Sequence, residues 1–275
     1  MVYREALMAK INLHSHTTYC DGKNTPEEMV LAAMDRGFDV FGFSGHSYTA
    51  FDESYCMSRA MTDAYEQEVR RLASSYQQKI TILCGIEQDI FSGPAESRWD
   101  YAIGSVHAFY NREFDRYIYV DYSKDQMIRD CEECYGGDFL AMAEDYFATE
   151  ATVIAKTGAD IIGHFDLVTK FNEQEKMFEE SHPRYEAAVD NALAKLLATG
   201  AVFEINTGAM SKGYRTSPYP SESILRKIKI GGGKIIISSD THTADTIDFA
   251  FADAARLAKL CGFEKLDYPG RTVAL

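Results

Sequence analysis

Long apolar runs are missing from this 275-residue chain. No stretch of about 18 or more consecutive apolar residues occurs, so a membrane-spanning helix is not expected. The amino-terminal stretch MVYREALMAKINL is interrupted by charges and offers no apolar core for a signal peptide, which predicts a cytoplasmic location. Basic residues are scarce beside acids: 28 Lys and Arg against 42 Asp and Glu leave a formal net charge of −14. With no Lys/Arg-rich stripe to reverse that field, a nucleic acid polymer is not an expected partner. Cysteine is sparse as well. Cys20, Cys56, Cys84, Cys131, Cys134 and Cys261 are too few in a chain this long for a disulfide framework. Cys131 and Cys134 have C-x-x-C spacing in RDCEECYGG but lack the second pair a zinc ribbon needs, so free thiols are expected. No G-x-S-x-G occurs; GFSGH around Ser44 has the wrong spacing for a nucleophile elbow, and Cys20 has no assigned base. Internal repeats, low-complexity tracts and linkers are also absent, which favours one domain over residues 1–275, and nothing specifies an oligomeric state.

What is present is a 46% hydrophobic chain that alternates short β-branched or aromatic runs with longer amphipathic stretches. That rhythm is the signature of a parallel sheet or barrel. Strands are expected at Lys10–Leu13, Val40–Phe43, Ile80–Gly85, Tyr101–Ser105, Asp160–Ile162, Ala201–Ile205 and Lys234–Ser238. Thr25-Pro26-Glu27-Glu28 reads as a helix start, with Thr25 as cap, Pro26 at the first helical position and Glu28 completing a capping box. Further helices are expected near 58–78, 138–157, 182–198, 221–229 and 246–260. Gly136-Gly137 and Gly231-Gly232-Gly233 read as turns, the latter followed by a strand and therefore not a phosphate loop. The charged, aromatic stretch 110–122 reads as a loop over the site. About seven βα units imply a barrel related to the (β/α)₈ fold, whose active sites gather at the carboxyl ends of the strands.

Six of the seven histidines fall at or just beyond the end of an apolar run. His14 and His16 leave the first strand in INLHSH with side chains on the same face. Asp21 follows in HSHTTYCDG. His46 ends VFGFSGH, His107 ends YAIGSVH, His164 lies in DIIGHFD, and Asp240 and His242 repeat the alternate spacing in SSDTH. Glu87 ends the apolar run ILCGIEQD and is either solvated at a loop or turned into the barrel mouth to bridge two metals; Asp89 reads as a surface or supporting group. Alone, His107 or His164 would be satisfied core histidines, and His182 in SHPRY reads as a helix start. Imidazoles and carboxylates gathered from several strand tips are how one chain builds a multinuclear site, and such mixtures suit zinc, manganese or iron(II).

Taken in series, HSHTTYCDG, FSGHS, GIEQD, IGSVH, IGHFD, EINTG and SSDTH resemble the PHP (polymerase and histidinol phosphatase) superfamily of metal-dependent phosphoesterases. The resemblance covers nearly the whole chain. GIEQDIFSG, DYAIGSVH, GHFDLV and EINTGA…PYPS look most like the histidinol-phosphate phosphatase branch. It implies an α/β fold, a distorted (β/α)₇ TIM-like barrel, and three divalent ions. One would take His14, His16, Glu87 and Asp240; a second would share Glu87 and add His107 and His164; the third would use Asp21, His46 and His242. The implied reaction is hydrolysis of L-histidinol phosphate to L-histidinol and phosphate, a step of histidine biosynthesis, by a hydroxide bridging two cations. Glu87, Asp240 and His242 are then the catalytic candidates, with the proton for the departing alcohol coming from Asp240, His242 or a bound water. A doubly charged phosphate monoester calls for a further cation, for which Arg215 in GYRTSPYP and Lys170 after GHFDLV are the candidates.

Three rival readings remain. The same centre serves nucleotides or phosphodiesters in related proteins of the superfamily. A metal-binding module would bind ions without turnover. An amidohydrolase would usually place a bridging lysine at a strand end, and none of these strand tips offers one.

Overall fold

A computed structural model describes residues 9–275. Residues 1–8, the first part of the stretch read above for a leader, lie outside the described residues. In chain order the strands are β1 (Ile11–Asn12), β2 (Val40–Phe43), β3 (Thr81–Asp89), β4 (Tyr101–Ser105), β5 (Ala108–Asn111), β6 (Arg116–Tyr119), β7 (Ile161–Ile162), β8 (Val202–Asn206), β9 (Lys234–Ser238), β10 (Lys265–Tyr268) and β11 (Arg271–Ala274). The α-helices are α1 (Pro26–Asp35), α2 (Arg59–Tyr76), α3 (Lys124–Tyr135), α4 (Phe139–Glu150), α5 (Val153–Thr157), α6 (Pro183–Leu197), α7 (Gly208–Ser211), α8 (Glu222–Ile230) and α9 (Phe251–Leu260). None of the described helices is long and apolar enough to cross a membrane.

Seven strands pair in the order β1-β2-β3-β4-β7-β8-β9, each parallel to its neighbour. The two edges then meet. Ser15 bridges Thr241 in parallel register, and the His16 amide donates to the Thr241 carbonyl at 2.8 Å. One turn below, the Asn12 side chain donates to Ser239 Oγ at 2.7 Å and accepts from the Ser239 amide at 3.2 Å. The result is the nearly closed (β/α)₇ barrel that the motif series implies.

Apolar side chains from β1, β2, β4, β7, β8 and β9, among them Ile11, Val40, Ile103, Ile161, Val202 and Ile236, form one buried cluster that can meet only inside the barrel. Tyr101 fills much of it and donates to the Phe43 carbonyl at 2.9 Å. Its ring fits because two neighbours lack side chains: a Cβ on Gly42 or Gly85 would come within 2.4 Å of Tyr101 atoms. Outside the sheet, α1 and α2 cover β2 and β3 with Met29, Val30, Tyr65, Val69 and Leu72, and the later helices build a second, larger core against the other strands. Burying each large apolar side chain stabilises by roughly 1.5–3 kcal/mol.

Local signals act as expected at α1. The Glu28 amide donates to Thr25 Oγ1 and the Thr25 amide to Glu28 Oε2, with Pro26 in the first turn. His182 caps α6, its Nδ1 accepting from the Arg184 amide. All six cysteines are free. Several expectations change. The strand expected at 80–85 runs on to Asp89, and the helix expected near 246–260 begins at Phe251. The helix expected over 138–157 is two helices, α4 and α5, separated at Ala151–Thr152. A helix at 124–135, α3, was not anticipated. The stretch 110–122 is no irregular loop: most of it belongs to the antiparallel hairpin β5–β6, beside the barrel mouth.

Candidate metal centre

The strand ends carry their polar residues into one place because each strand stops being apolar at the same level of the barrel. His14 and His16 leave β1 fully buried, with ring centroids 5.2 Å apart. Opposite them, Glu87 on β3 is buried and is met by five imidazoles. Glu87 Oε2 lies 2.9 Å from His46 Nδ1, 3.2 Å from His14 Nε2 and 3.5 Å from His16 Nε2. Glu87 Oε1 lies 3.1 Å from His164 Nε2 and 3.2 Å from His107 Nε2, and accepts from Ser105 Oγ at 2.7 Å. The open alternative for Glu87 is thereby decided: it faces the barrel mouth.

Asp240, just beyond β9, has a left-handed backbone (φ 48°), which Asp tolerates better than most residues. Its Oδ1 is 3.1 Å from His16 Nε2 and 3.6 Å from His14 Nε2. Asp21 is 3.1 Å from His242 Nε2 and 3.7 Å from both His46 Nε2 and His16 Nδ1. His16 stacks between His46 and His242, at centroid distances of 4.3 and 4.2 Å. The structure therefore brings together all nine residues singled out in the sequence.

Three groups of donor atoms are close enough to share an ion: His14, His16 and Asp240; His46, Glu87 and His107; and His16, Asp21, His46 and His242. The grouping differs from the family-based partition, in which Glu87 is shared by two ions; here it falls in one group only. His16 and His46 stand between groups rather than inside one, while His164 is tied to its neighbours through Glu87.

The donor set fits divalent cations on its own chemistry. His14 Nε2, His16 Nε2 and Glu87 Oε2 are buried without a hydrogen-bond partner, although all three converge on the same small volume. Leaving such atoms unpaired costs about 1–3 kcal/mol each, more for charged groups, and a cation placed among them would satisfy them together. Burial alone would raise the carboxyl of Glu87, but the charges of His46, His14 and His107 hold it well below the usual range. Asp240 is held down in the same way, against burial, by His14, Lys212 and His16. His16 moves the other way: burial, then His242 and His46, lower it to about 3, so its imidazole is neutral and free to ligate.

Several supporting residues escaped the sequence reading. Glu204 on β8 is fully buried; its Oε1 lies 2.7 Å from His14 Nδ1, and its Oε2 accepts from the His164 amide at 3.0 Å and from Asn206 Nδ2 at 2.9 Å. A carboxylate within the buried strand VFEIN was the available signal. Asp89 takes the supporting role left open for it, buried and 3.3 Å from His107 Nδ1.

A cavity of about 270 Å³ opens over the cluster, lined by Asp21, His46, Glu87, His107, His164, Asp240 and His242 on its floor. Phe51, Asp52, Tyr55, Tyr119 and Tyr122 line it as well, together with Asp121, Lys170 and Lys212. Lys170 pairs with the Asp121 carboxylate and donates to its carbonyl at 3.0 Å. Lys212, unnoticed in the sequence, faces the carboxylates. The side chain is exposed at the cavity; partial desolvation disfavours its charge, but Asp240, Asp121, Asp21 and Glu87 outweigh this and raise its pKa. Arg215 is not among the lining residues. Gly213, at φ 75°, turns the chain, and the buried Arg215 guanidinium donates to Thr169 and Ser217 and stacks on Tyr219 at 4.8 Å.

The model of the PHP domain matches residues 12–208 of this chain, more than half its length. The chain belongs to the PHP family. That match ends before Asp240 and His242, and the barrel seam at Ser15–Thr241 is what returns these two to the other PHP residues. Two curated relatives carry the name "Probable histidinol-phosphatase". One, from Schizosaccharomyces pombe, is 25% identical over 93% of this chain and 90% of its own. The other, from Deinococcus radiodurans, is 26% identical over 94% of each. Among solved structures, the histidinol phosphate phosphatase of Lactococcus lactis, complexed with zinc, L-histidinol and phosphate, superposes with a TM-score of 0.64 at 20% identity, covering 94% of this PHP chain and 95% of its own. That likeness supports the barrel.

Proposed function

We propose that the protein is a metal-dependent phosphomonoesterase that hydrolyses L-histidinol phosphate to L-histidinol and phosphate. The observation that carries this reading is Glu87, a buried carboxylate met by five imidazoles at the floor of a small cavity that two lysines also line. The names of the curated relatives and the ligands in the Lactococcus lactis enzyme point to the same substrate.

In this reading His14, His16, Asp21, His46, Glu87, His107, His164, Asp240 and His242 hold three divalent ions. Zinc, manganese or iron would suit such nitrogen and oxygen donors. When bound, such ions make water a competent nucleophile near neutral pH and offset charge on the phosphoryl oxygens. The chain's own residues do the rest. Lys170 and Lys212 draw the doubly charged phosphate to the floor and hold its oxygens. The aromatic wall around Phe51, Tyr55 and Tyr119 shields the reacting group from bulk water. Asp240 and His242 line the cavity, and either of them, or a bound water, would return a proton to the departing alcohol oxygen. Arg215 holds the wall behind the site and does not touch substrate.

The test is phosphate release by the zinc- or manganese-loaded protein from L-histidinol phosphate, AMP and bis-p-nitrophenyl phosphate, side by side. A strong preference for L-histidinol phosphate, abolished by a chelator, is expected. Preference for AMP or the diester would transfer the same centre to a nucleotide or phosphodiester substrate.

A further inference from the structure

The cavity has a second end whose chemistry the phosphate does not use. Its wall begins at the metal-cluster histidines, where Tyr55 sits edge-on to His46 at 4.9 Å and to His107 at 5.9 Å. The Tyr55 hydroxyl lies 3.3 Å from Thr49 Oγ1, which donates to the Asp52 carbonyl at 2.8 Å. Beside Asp52, Phe51 stacks on Tyr117 at 4.3 Å and meets Tyr119 at 6.0 Å. The segment 48–55 and the hairpin β5–β6 thus form one continuous surface leading away from the ions' site.

Four other carboxylates line this cavity, and each is already engaged. Asp21, Glu87 and Asp240 belong to the histidine cluster, and Asp121 is paired with Lys170. Asp52 has no lysine or arginine partner among the described residues. Its Oδ1 accepts only from the Ser54 amide and hydroxyl, at 3.0 and 2.6 Å, which fixes the carboxylate's direction and leaves Oδ2 unbonded. Phe51, Asp52 and Tyr119 all line this cavity, with the Phe51 and Tyr119 ring centroids 6.0 Å apart.

We propose that Asp52, flanked by the Phe51 and Tyr119 rings, is the specificity-determining residue that receives the cationic amine of the leaving alcohol. The proposal rests on the L-histidinol phosphate reading. The substrate is a dipole in charge, with a dianionic phosphate at one end and a primary ammonium beside an imidazole at the other. The cavity lining offers both signs, Lys170 and Lys212 for the phosphate and Asp52 with its aromatic neighbours for the amine. An ammonium bonded to a half-buried carboxylate and resting on ring faces gains both a charge-assisted hydrogen bond and cation–π attraction. A phosphate ester whose alcohol carries no positive charge gains neither, so selection among monoesters lies in this contact.

The test compares wild type with Asp52→Asn, which keeps the shape and the acceptor for Ser54, on L-histidinol phosphate and on p-nitrophenyl phosphate. The ratio of kcat/KM for the two substrates should fall about tenfold in the variant, mostly through the KM for L-histidinol phosphate, and inhibition by free L-histidinol should weaken by a similar factor. Phe51→Ala should lower the same ratio in the same direction. An unchanged ratio with unchanged L-histidinol inhibition, in an enzyme whose wild type does hydrolyse L-histidinol phosphate, would overturn this assignment alone. A wild type that cleaves p-nitrophenyl phosphate but not L-histidinol phosphate would overturn the proposed function and this assignment with it.

Discussion

Glu204 Oε1 lies 2.7 Å from His14 Nδ1, both side chains being fully buried. The contact fixes the ring's orientation: Nδ1 donates to the carboxylate, and Nε2 is turned toward Glu87 and Asp240 at 3.2 and 3.6 Å. The other Glu204 oxygen holds the His164 amide, so one carboxylate on β8 sets the ligand geometry at the ends of β1 and β7 together.

Glu204→Ala should therefore weaken metal retention about 10- to 100-fold, the usual effect of removing a partner that orients a metal-binding histidine. Glu204→Gln, which can still accept from His14, should lose less. Metal content after dialysis against a graded chelator series measures this. Full retention in the alanine variant would mean that the contact has no part in orienting His14.

Glu87→Ala removes the carboxylate common to His14, His16, His46, His107 and His164. Turnover should fall by more than about a hundredfold, together with loss of bound metal. Near-wild-type rates with metal content unchanged would contradict the bridging role.

Lys212 and Arg215 are three positions apart and should behave in opposite ways. Lys212→Ala should raise the KM for a phosphate monoester about tenfold with little change in melting temperature, since the side chain is exposed at the cavity. Arg215→Ala should instead cost about 1–3 kcal/mol of stability, because it leaves Thr169 and Ser217 without their buried donor. Steady-state kinetics and thermal denaturation on the pair distinguish these roles, and the reverse pattern would refute them.

Glu150 is fully buried at the end of α4, and neither carboxyl oxygen has a hydrogen-bond partner; the neighbouring Tyr146 hydroxyl donates to the Phe165 carbonyl instead. Burial pushes its carboxyl well above the usual carboxylate range, and His107 lowers it only in part while Asp166 adds to the rise. A carboxyl whose folded pKa is raised favours folding at low pH and loses that contribution as pH climbs from the unfolded value toward the folded one. Glu150→Gln, which cannot ionise, should raise the melting temperature more at pH 8 than at pH 5, by an amount equivalent to about 1–3 kcal/mol at the higher pH. Equal shifts at both pH values would show that the group does not titrate in this window.

The residues that carry chemistry were legible because they break a pattern. His14, His46, His107, His164 and His242 each interrupt or follow an apolar run, and β9 begins and ends where its sequence suggests. Alternation placed His14 with His16 and Asp240 with His242. What stayed hidden depends on how distant segments approach. Nothing local to Ser15 or Thr241 announces that they close the barrel. The helix α3 buries Met127, Asp130, Cys131 and Cys134 at helical spacing, but the acid at position 130 breaks the apolar stripe. The hairpin β5–β6 is masked by the polar residues of its turn. Lys212 lines the cavity and Arg215 does not, with the left-handed backbone of Gly213 between them. A residue at the right place in the sequence is then one turn away from the right place in space.

The most direct test of the account is to strip the protein of metal and add zinc or manganese back in steps. Bound metal and phosphate release from L-histidinol phosphate are recorded on the same samples. The account predicts no turnover in the stripped protein and activity that rises with occupancy until about three ions per chain are bound, as the donor groups here would accommodate. Full hydrolysis of L-histidinol phosphate by protein shown to contain no metal would contradict it.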